Sequence, residues 1–535
     1  MDINQAFKFT YKLLLGECNV EMDEVKDWLL SYQVPLGQKT SSVSGKPVMV
    51  SSSSYLETAK FISQDEIDWN KKFEPLKKPL FFQNLNGAPF NPLGINEIKD
   101  VDSIVEAIQE RVIYTGNKKF GRSEQIEISD NCVDSFCVKN SHNIHGSKYV
   151  AYSSYMRDGA EYTFGCAYSP SSKYAIHVIE GTLIRAFESY FSASVSDVYC
   201  SYYNFDCAHL MFSFNQKGKR YCIGNLELPR ERYLQLKDKL IVEIREYIEK
   251  HKRFYPPFVI PGMPKAPVMP KFAFKLPEQD FNKLDTAFHD TCRVIFGKEI
   301  GGLNENQKFL THGINSVKSH PTSFGNTVWF SPSFTFFGSV PKDRVISCHE
   351  SEHASRMKME LKEGETLGLG QLAAKLAGVA FFPTNVTEGN SVNNIESHVT
   401  YCVANSYQVE DCAHSKNCAY CNMAVASENV FGCQRAVHSK FCIRCHGCTN
   451  MTACLEMNGC NNCANSMFCH NSENLDNCMF CFNTKSKRYA IANVEVGREK
   501  YMEVKKIVMD ELLRRLEKNK EFGMDIYNLN CAGRQ

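Results

Sequence analysis

Between Cys412 and Cys481, every third residue belongs to one small, mostly apolar class. The 24 positions of this series hold thirteen cysteines; Ser, Ala, Val, Met and Leu fill the others. No cysteine in the span falls out of phase. An α-helix returns its buried face about every 3.6 residues and a flat strand about every 2. A strict period of three suits neither. It suits a narrow coil that turns one side chain inward on each three-residue side.

Set out four to a row, the series forms columns that agree. One column is Cys421, Cys433, Cys445, Met457, Cys469 and Cys481; another is Ser415, Ser427, Ser439, Met451, Cys463 and Leu475. Rows of three or five mix the columns more. About twelve residues per coil is therefore expected, and six coils at the strand spacing make a rod on the order of 29 Å long. Nine asparagines, Asn417, Asn429 and Asn462 among them, stand in the position before an inward one. Asparagine tolerates left-handed backbone, which tight corners require.

The segment resembles the twelve-residue, right-handed β-helix of beetle antifreeze proteins, which also turn Cys, Ser and Ala inward at every third residue. The resemblance covers the spacing alone and implies the fold. The outward Thr-x-Thr ladders of that family have no counterpart here, so ice binding is not implied. Cys-rich coils ending in Lys-Arg-Tyr-x-Ile-x-Asn and a helix are also similar to uncharacterised cysteine-repeat proteins of uncultured bacteria and their phages. That likeness brings no activity with it.

The chain repeats itself once. Met211–Asn215 (Met-Phe-Ser-Phe-Asn) matches Met479–Asn483 (Met-Phe-Cys-Phe-Asn), and Lys219–Asn225 matches Lys487–Asn493, both at an offset of 268 residues. Each copy then enters a helical pattern. Pro229–Lys250 has Tyr233, Leu240, Ile244 and Ile248 in phase; Arg498–Lys518 has Tyr501, Val508, Leu512 and Leu516 in the matching places. Motif, spacing and helix together point to tandem duplication. The first copy carries the triplet in weaker form, from Cys132 to Ser153 and from Ala186 to Ser213. Between them Gly159–Leu183 breaks the pattern and reads as an insertion or a widened coil. A proline-rich stretch from Pro256 to Pro277 joins the copies as a semi-rigid spacer. Helices are expected in Met1–Val34, Val101–Ile113, Asp343–Leu361 and Leu367–Ala380, and strands in Thr327–Val340.

Sixty-one Lys and Arg stand against 60 Asp and Glu, which leaves no electrostatic case for a general nucleic-acid or acidic-membrane binder. Basic residues at Lys217–Arg220 and Lys485–Arg488 are read as turns and last rungs rather than a nucleic-acid patch. The N-terminus has no basic region followed by an apolar one, and no apolar run approaches the ~20 residues of a membrane span. A cytoplasmic protein, or one within an intracellularly assembled particle, is expected. Its 24 cysteines are then expected as thiols or metal ligands rather than disulfides.

Two motifs compete with a purely structural reading. CxxC pairs such as Cys442/Cys445 and Cys460/Cys463 have the spacing of zinc knuckles. Yet Ser, Ala, Val and Met replace cysteine freely along the same phase, which a ligand set does not allow. Buried, reduced thiols are favoured over metal binding, and over cross-coil disulfides such as Cys442/Cys448. The second motif, His349-Glu350-Ser351-Glu352-His353, satisfies HExxH: on a helix, His349 and His353 would bind Zn²⁺ and Glu350 would activate water. The inverted reading makes Glu352 the base. Glu365, Glu388 and Glu396 are third-ligand candidates without distinguishing context. A solvated polar helix face is the favoured alternative. Gly364–Gly370 lacks the Lys-Ser/Thr of a phosphate-binding loop and reads as packing or loop.

The expected architecture is α+β and mostly β: two narrow right-handed β-solenoids, each capped by an amphipathic helix, with additional mixed segments. The boundaries are 1–124 for an N-terminal mixed segment, 125–225 for the first solenoid and 226–252 for its capping helix. A linker at 253–283 and a mixed segment at 284–390 follow, then the Cys-rich second solenoid at 391–493 and a capping helix and tail at 494–535. The expected function is a non-enzymatic structural or interaction scaffold, with protein partners or self-assembly and no cofactor. The alternatives are a zinc hydrolase using His349, Glu350 and His353, and a metal- or cluster-binding protein using the CxxC ladder.

Overall fold

The repeating element of the backbone is a triplet with one left-handed residue. From His414 to Ala492, every third residue has positive φ, between 46° and 59° where it is not glycine. The asparagines singled out above are among them, but so are His414, Tyr420, Met423, Phe441 and Arg444. Asparagine therefore eases the corner without defining it. A left-handed residue other than glycine costs on the order of 1 kcal/mol. Ladder bonding offsets that cost: left-handed Tyr420, Arg444 and Phe468 donate their backbone N–H to Tyr407, Phe431 and Leu455 at 3.0–3.1 Å.

This computed structural model describes residues 1–67, 101–108, 112–271, 273, 279–529 and 531. Residues 68–100 of the N-terminal mixed segment, the stretch 109–111 of the expected helix and Pro277 of the proline-rich stretch lie outside them. The protein is mixed α+β and mostly strand, 24% helical against 35% strand, and its largest sheet is a curled parallel half-barrel. By internal contacts the chain forms two units. One comprises Met1–Leu36, Lys119–Leu276 and Lys318–Val386; the other comprises Gly37–Lys118, Pro277–Val317 and Thr387–Gln535.

In the second unit, facing residues are twelve apart. Cys412 pairs with Ala424, Cys418 with Val430, Val430 with Cys442 and Cys442 with Cys454, all in parallel strands. Strands Val399–Tyr401, Asp411–Ala413, Asn422–Val425 and Gln434–Val437 make one ladder. Val392–Ile395, Ala404–Tyr407, Lys416–Ala419, Glu428–Phe431 and Lys440–Ile443 make another, and the two meet in His446–Leu455. The inward series is a buried core of its own, from Val403 and Cys412 to Cys481 and Ala490. An outward apolar row, including Tyr420, Phe431, Ile443, Leu455 and Phe480, packs beneath the helices Asn282–Phe296 and Arg498–Asn519. The parallel run stops where Lys485–Ile491 pairs antiparallel with Val494–Glu495.

The first unit uses the same triplet with Cys132, Val138, Ile144 and Val150 inward. The interruption at Gly159–Leu183 is a pair of compensating frame shifts. Lys148 pairs with Glu161, thirteen residues on, and Glu161 pairs with Lys173, twelve on. The inward phase moves at Ala160, runs through Cys166, Ala175 and Val178, and returns at Leu183 and Ala186. Gly159 (φ 81°) and Gly181 (φ 152°) stand at the two shifts. The insertion reading is thus corrected: one coil is widened by a residue and a later one is shortened. Helix Ile3–Leu15, capped by Asp2, buries Phe7, Tyr11, Leu14 and Leu15 against this ladder. After the antiparallel pair Arg220–Ile223 and Leu226–Glu227, helix Arg230–His251 buries Tyr233, Leu236, Leu240, Ile244 and Ile248.

Two local expectations fail. Asp343–Leu361 is not one helix. Val345–Ile346 is a strand paired in parallel with Phe382–Pro383, and only Ser351–Ser355 is α-helical. Tertiary strand pairing of two β-branched residues overrides the local helical pattern. In Thr327–Val340 only Thr327–Phe330 is strand, and Thr335–Ser339 is a 3₁₀ turn that buries Phe336. Among the described residues no helix is long and apolar enough to cross a membrane.

Candidate functional sites

Among the described residues, which include all 24 cysteines, none is in a disulfide. Inside the second ladder they make the same bonds as serine does. Ser427 Oγ donates toward the carbonyls of Val425 and Ala436 at 2.9 and 3.1 Å, two residues back and nine ahead. Cys421 Sγ lies 3.3 Å from the carbonyls of Ala419 and Val430, the same two positions, and Cys460 Sγ likewise meets Asn458 and Cys469. Cys445 and Cys463 follow the pattern, and Cys442 Sγ meets Lys440 O at 3.3 Å. The side chain also accepts. Ser439 N donates to Ser427 Oγ at 3.0 Å, and Cys445 N to Cys433 Sγ at 3.4 Å, each twelve residues on. A small side chain with one hydrogen to give and a lone pair to offer therefore ties its own coil to the next one. Burial pushes the Cys445 and Cys460 thiols well up from their ordinary range, which keeps the proton this bonding needs.

His349, Glu350 and His353 do not share a helix face. The helix begins at Ser351, with Glu350 in the cap position and His349 before it. The Glu350 carboxylate is fully buried and already occupied. Its Oε1 accepts from Thr322 Oγ1 and Asn326 Nδ2 at 2.7 Å each, and its Oε2 from Ser347 N at 2.6 Å. It braces the turn at Thr322–Asn326. His353 lies against the Phe324 ring, and Glu352 pairs with Arg356 at 2.7 Å. Glu365 pairs with Lys375, and Glu396 accepts from Gln408; Glu388 lies at the start of the second ladder. Among the described residues, no three of His, Cys, Asp or Glu are placed to hold a metal ion.

A constellation absent from the sequence reading is Ser31, His177 and Glu188. His177 Nε2 lies 3.0 Å from Ser31 Oγ, and its Nδ1 lies 2.9 Å from Glu188 Oε1. The distances are those of a nucleophile triad, but the hydrogens are committed elsewhere. Ser31 Oγ donates to Trp28 O at 2.6 Å, and His177 Nε2 also faces Ser31 O at 3.2 Å. Glu188 accepts from Trp28 Nε1 at 2.7 Å and Tyr190 OH at 3.0 Å. Every donor has an acceptor with no hydroxyl proton left for the imidazole, so the group locks Lys26–Leu30 to the first ladder. Three residues separated by 146 and 11 positions gave no sequence signal.

A polar groove of about 360 Å³ lies on the second unit. Its floor is a ladder of amides: Asn393 Nδ2 donates to Asn405, Asn405 to Asn417 and Asn417 to Asn429, at 2.8–3.0 Å. Lys416 flanks it on the ladder, and Asn282, Lys283, Thr286 and Asp290 of the overlying helix form the other wall. Twelve-residue spacing places one amide per coil, and the left-handed corner aims each at the next.

A separate buried charge cluster shapes pH response. Arg444 pairs with Glu456, both almost fully buried, and Glu456 Oε2 accepts from Ile526 N at 3.1 Å. Burial raises Glu456 to about 7 despite Arg444, and nearby Asp525, itself paired with His312, adds to the rise. Burial, then Arg444, lowers His446 to about 3, with Asp525 opposing and His312 adding. The two act oppositely. The raised acid contributes stability below pH ~4.5 that is lost as pH climbs to about 7; the lowered histidine contributes stability above ~6.5 that is lost as pH falls toward 3. Below pH ~4.5 only the histidine effect remains. His446→Phe is expected to flatten the acid limb of urea stability by up to about 1.4 kcal/mol per pH unit between pH 4.5 and 3. An unchanged slope in that window contradicts the assignment.

No family model, curated protein or solved structure matches this chain.

Proposed function

We propose that the protein is a non-enzymatic interaction scaffold built on two narrow right-handed β-solenoids, each closed at its C-terminal end by an antiparallel strand and an amphipathic helix. One observation carries the reading: cysteine and serine make the same bonds to the same backbone positions. Cysteine richness then serves the coil rather than a reactive centre. The caps have a physical purpose, since an open parallel edge pairs with other chains. The asparagine-floored groove supplies the outward recognition surface, with amides repeating at the coil spacing beside the Lys416 ammonium and the Asp290 carboxylate, for a polar protein partner.

Elemental analysis of the anaerobically purified protein and of His349→Ala tests this. The scaffold reading expects no stoichiometric zinc or iron in either, and the same melting temperature. One zinc lost in His349→Ala would replace it with a zinc hydrolase. Several metals retained in that variant would replace it with a metal-binding ladder.

A further inference from the structure

The 268-residue offset between the sequence copies also relates contacts, and it crosses them. Asn215 Nδ2 donates to Phe381 O at 2.9 Å, and Asn483 Nδ2 donates to Ile113 O at 2.8 Å. Asn483 is the counterpart of Asn215, and Phe381 of Ile113. Each asparagine thus bonds the other copy's segment. The aromatic contacts repeat the crossing: Phe214 meets Phe382 at 5.7 Å, and its counterpart Phe482 meets Tyr114, the counterpart of Phe382, at 5.9 Å. So do the bonds beside them. Tyr202 OH donates to Pro383 O at 2.8 Å, and at the equivalent positions Thr115 N donates to His470 Nε2 at 2.9 Å.

Whole elements follow. Helices Val101–Ile108 and Leu369–Leu376 begin and end at the same offset. The first packs on Arg498–Asn519 and the second on Arg230–His251. The hairpin Gly37–Thr40 with Pro47–Val50 and the hairpin Lys318–Pro321 with Thr327–Phe330 hold the same place in element order, though not at that offset. Parallel pair Phe61–Ser63 with Tyr114–Gly116 corresponds to Val345–Ile346 with Phe382–Pro383, the later strand at that offset and the earlier one in element order. Gly37–Lys118 belongs to the unit of the second ladder and Lys318–Val386 to that of the first; the ladders start at Lys119 and Thr387, again the same offset.

We infer that the chain is two copies of one protomer joined in tandem, and that each copy's ladder is completed by the middle segment of the other. The surface around Tyr202, Phe214 and Asn215, and its counterpart around His470, Phe482 and Asn483, is an interaction surface whose partner is a second copy of the same module. Exchange of this kind preserves every contact of the unexchanged form and changes only the hinges, so it is a low-cost route to association. The inference stands apart from the scaffold reading, which concerns what the outer faces bind.

The test uses the full chain with a protease site inserted at Val268, which is fully exposed. After cleavage the two halves are expected to elute together at the mass of the intact 60.8 kDa chain. Two variants of the same protein locate the contact. Asp102 pairs with Arg515 at 2.6 Å on the surface, and the counterpart of Arg515 in the first copy is Tyr247. Oxidised, cleaved Asp102→Cys/Arg515→Cys is expected to run at full length on a non-reducing denaturing gel, and Asp102→Cys/Tyr247→Cys as two halves. Separation of the cleaved, unsubstituted halves on the native column overturns the inference. So does a full-length band missing from the first variant.

Discussion

Ser427→Val is expected to destabilise the second ladder by about 1–3 kcal/mol, whereas Ser427→Cys stays within about 1 kcal/mol of the parent. Valine carries one heavy atom more than serine, a size the same lumen already takes at Val430, and the site is buried, so exposure does not decide the result. What decides it is bonding. Valine leaves the Ser439 N–H without its acceptor and removes the hydroxyl hydrogen shared by the Val425 and Ala436 carbonyls, the first of which keeps the His438 N–H at 2.9 Å. Each buried polar group left unpaired costs about 1–3 kcal/mol. A thiol gives and accepts weaker bonds in the same directions, as Cys421 and Cys433 do two columns over. Urea unfolding monitored by far-ultraviolet circular dichroism reads both changes. Equal effects of valine and cysteine would contradict the bonding argument.

Gly181→Ala is expected to cost the first ladder on the order of 4 kcal/mol or more, against about 1 kcal/mol for Gly159→Ala. Both glycines hold left-handed or extended-positive backbone, but their surroundings differ. A Cβ on Gly181 would lie 1.8 Å from Ser192 O, whereas one on Gly159 meets nothing within 4 Å. Backbone of the next coil cannot withdraw without breaking its own ladder bonds. The expected sign of failure is a loss of cooperative unfolding in Gly181→Ala alone. Similar melting curves for the two variants would show that the return of phase at Leu183 does not depend on that close approach.

The coil was legible because its inward face admits few residue types. A lumen closed by backbone on all sides takes small side chains, so the period of three and the agreement of columns at twelve survive in the letters. The duplication was legible where Met479–Asn483 and Lys487–Asn493 repeat the first copy. The frame shifts at Gly159 and Gly181 were not, because a one-residue gain followed by a one-residue loss looks like noise in a fixed phase. The helix face expected at His349–His353, whether solvated or zinc-binding, fails for a related reason. Five letters specify a helix face only if a helix is there, and pairing of Val345–Ile346 with Phe382–Pro383 ends that possibility upstream. The Ser31, His177 and Glu188 group and the Arg444, Glu456 and Asp525 cluster depend on side chains brought together by the fold. Exchange of the middle segments left no trace in sequence, since equivalent segments offer the same contacts to either ladder.

The central claim is that cysteine serves as a protonated, hydrogen-bonding filler of the coil, and thiol counting tests it most directly. Anaerobic protein treated with a thiol reagent before and after denaturation is expected to show only the three half-exposed cysteines, Cys18, Cys348 and Cys402, reacting in the folded state, and all 24 once it is unfolded. A total well short of 24 after unfolding, recovered only by a reductant or a chelator, would show disulfides or bound metal in the ladder and contradict the account.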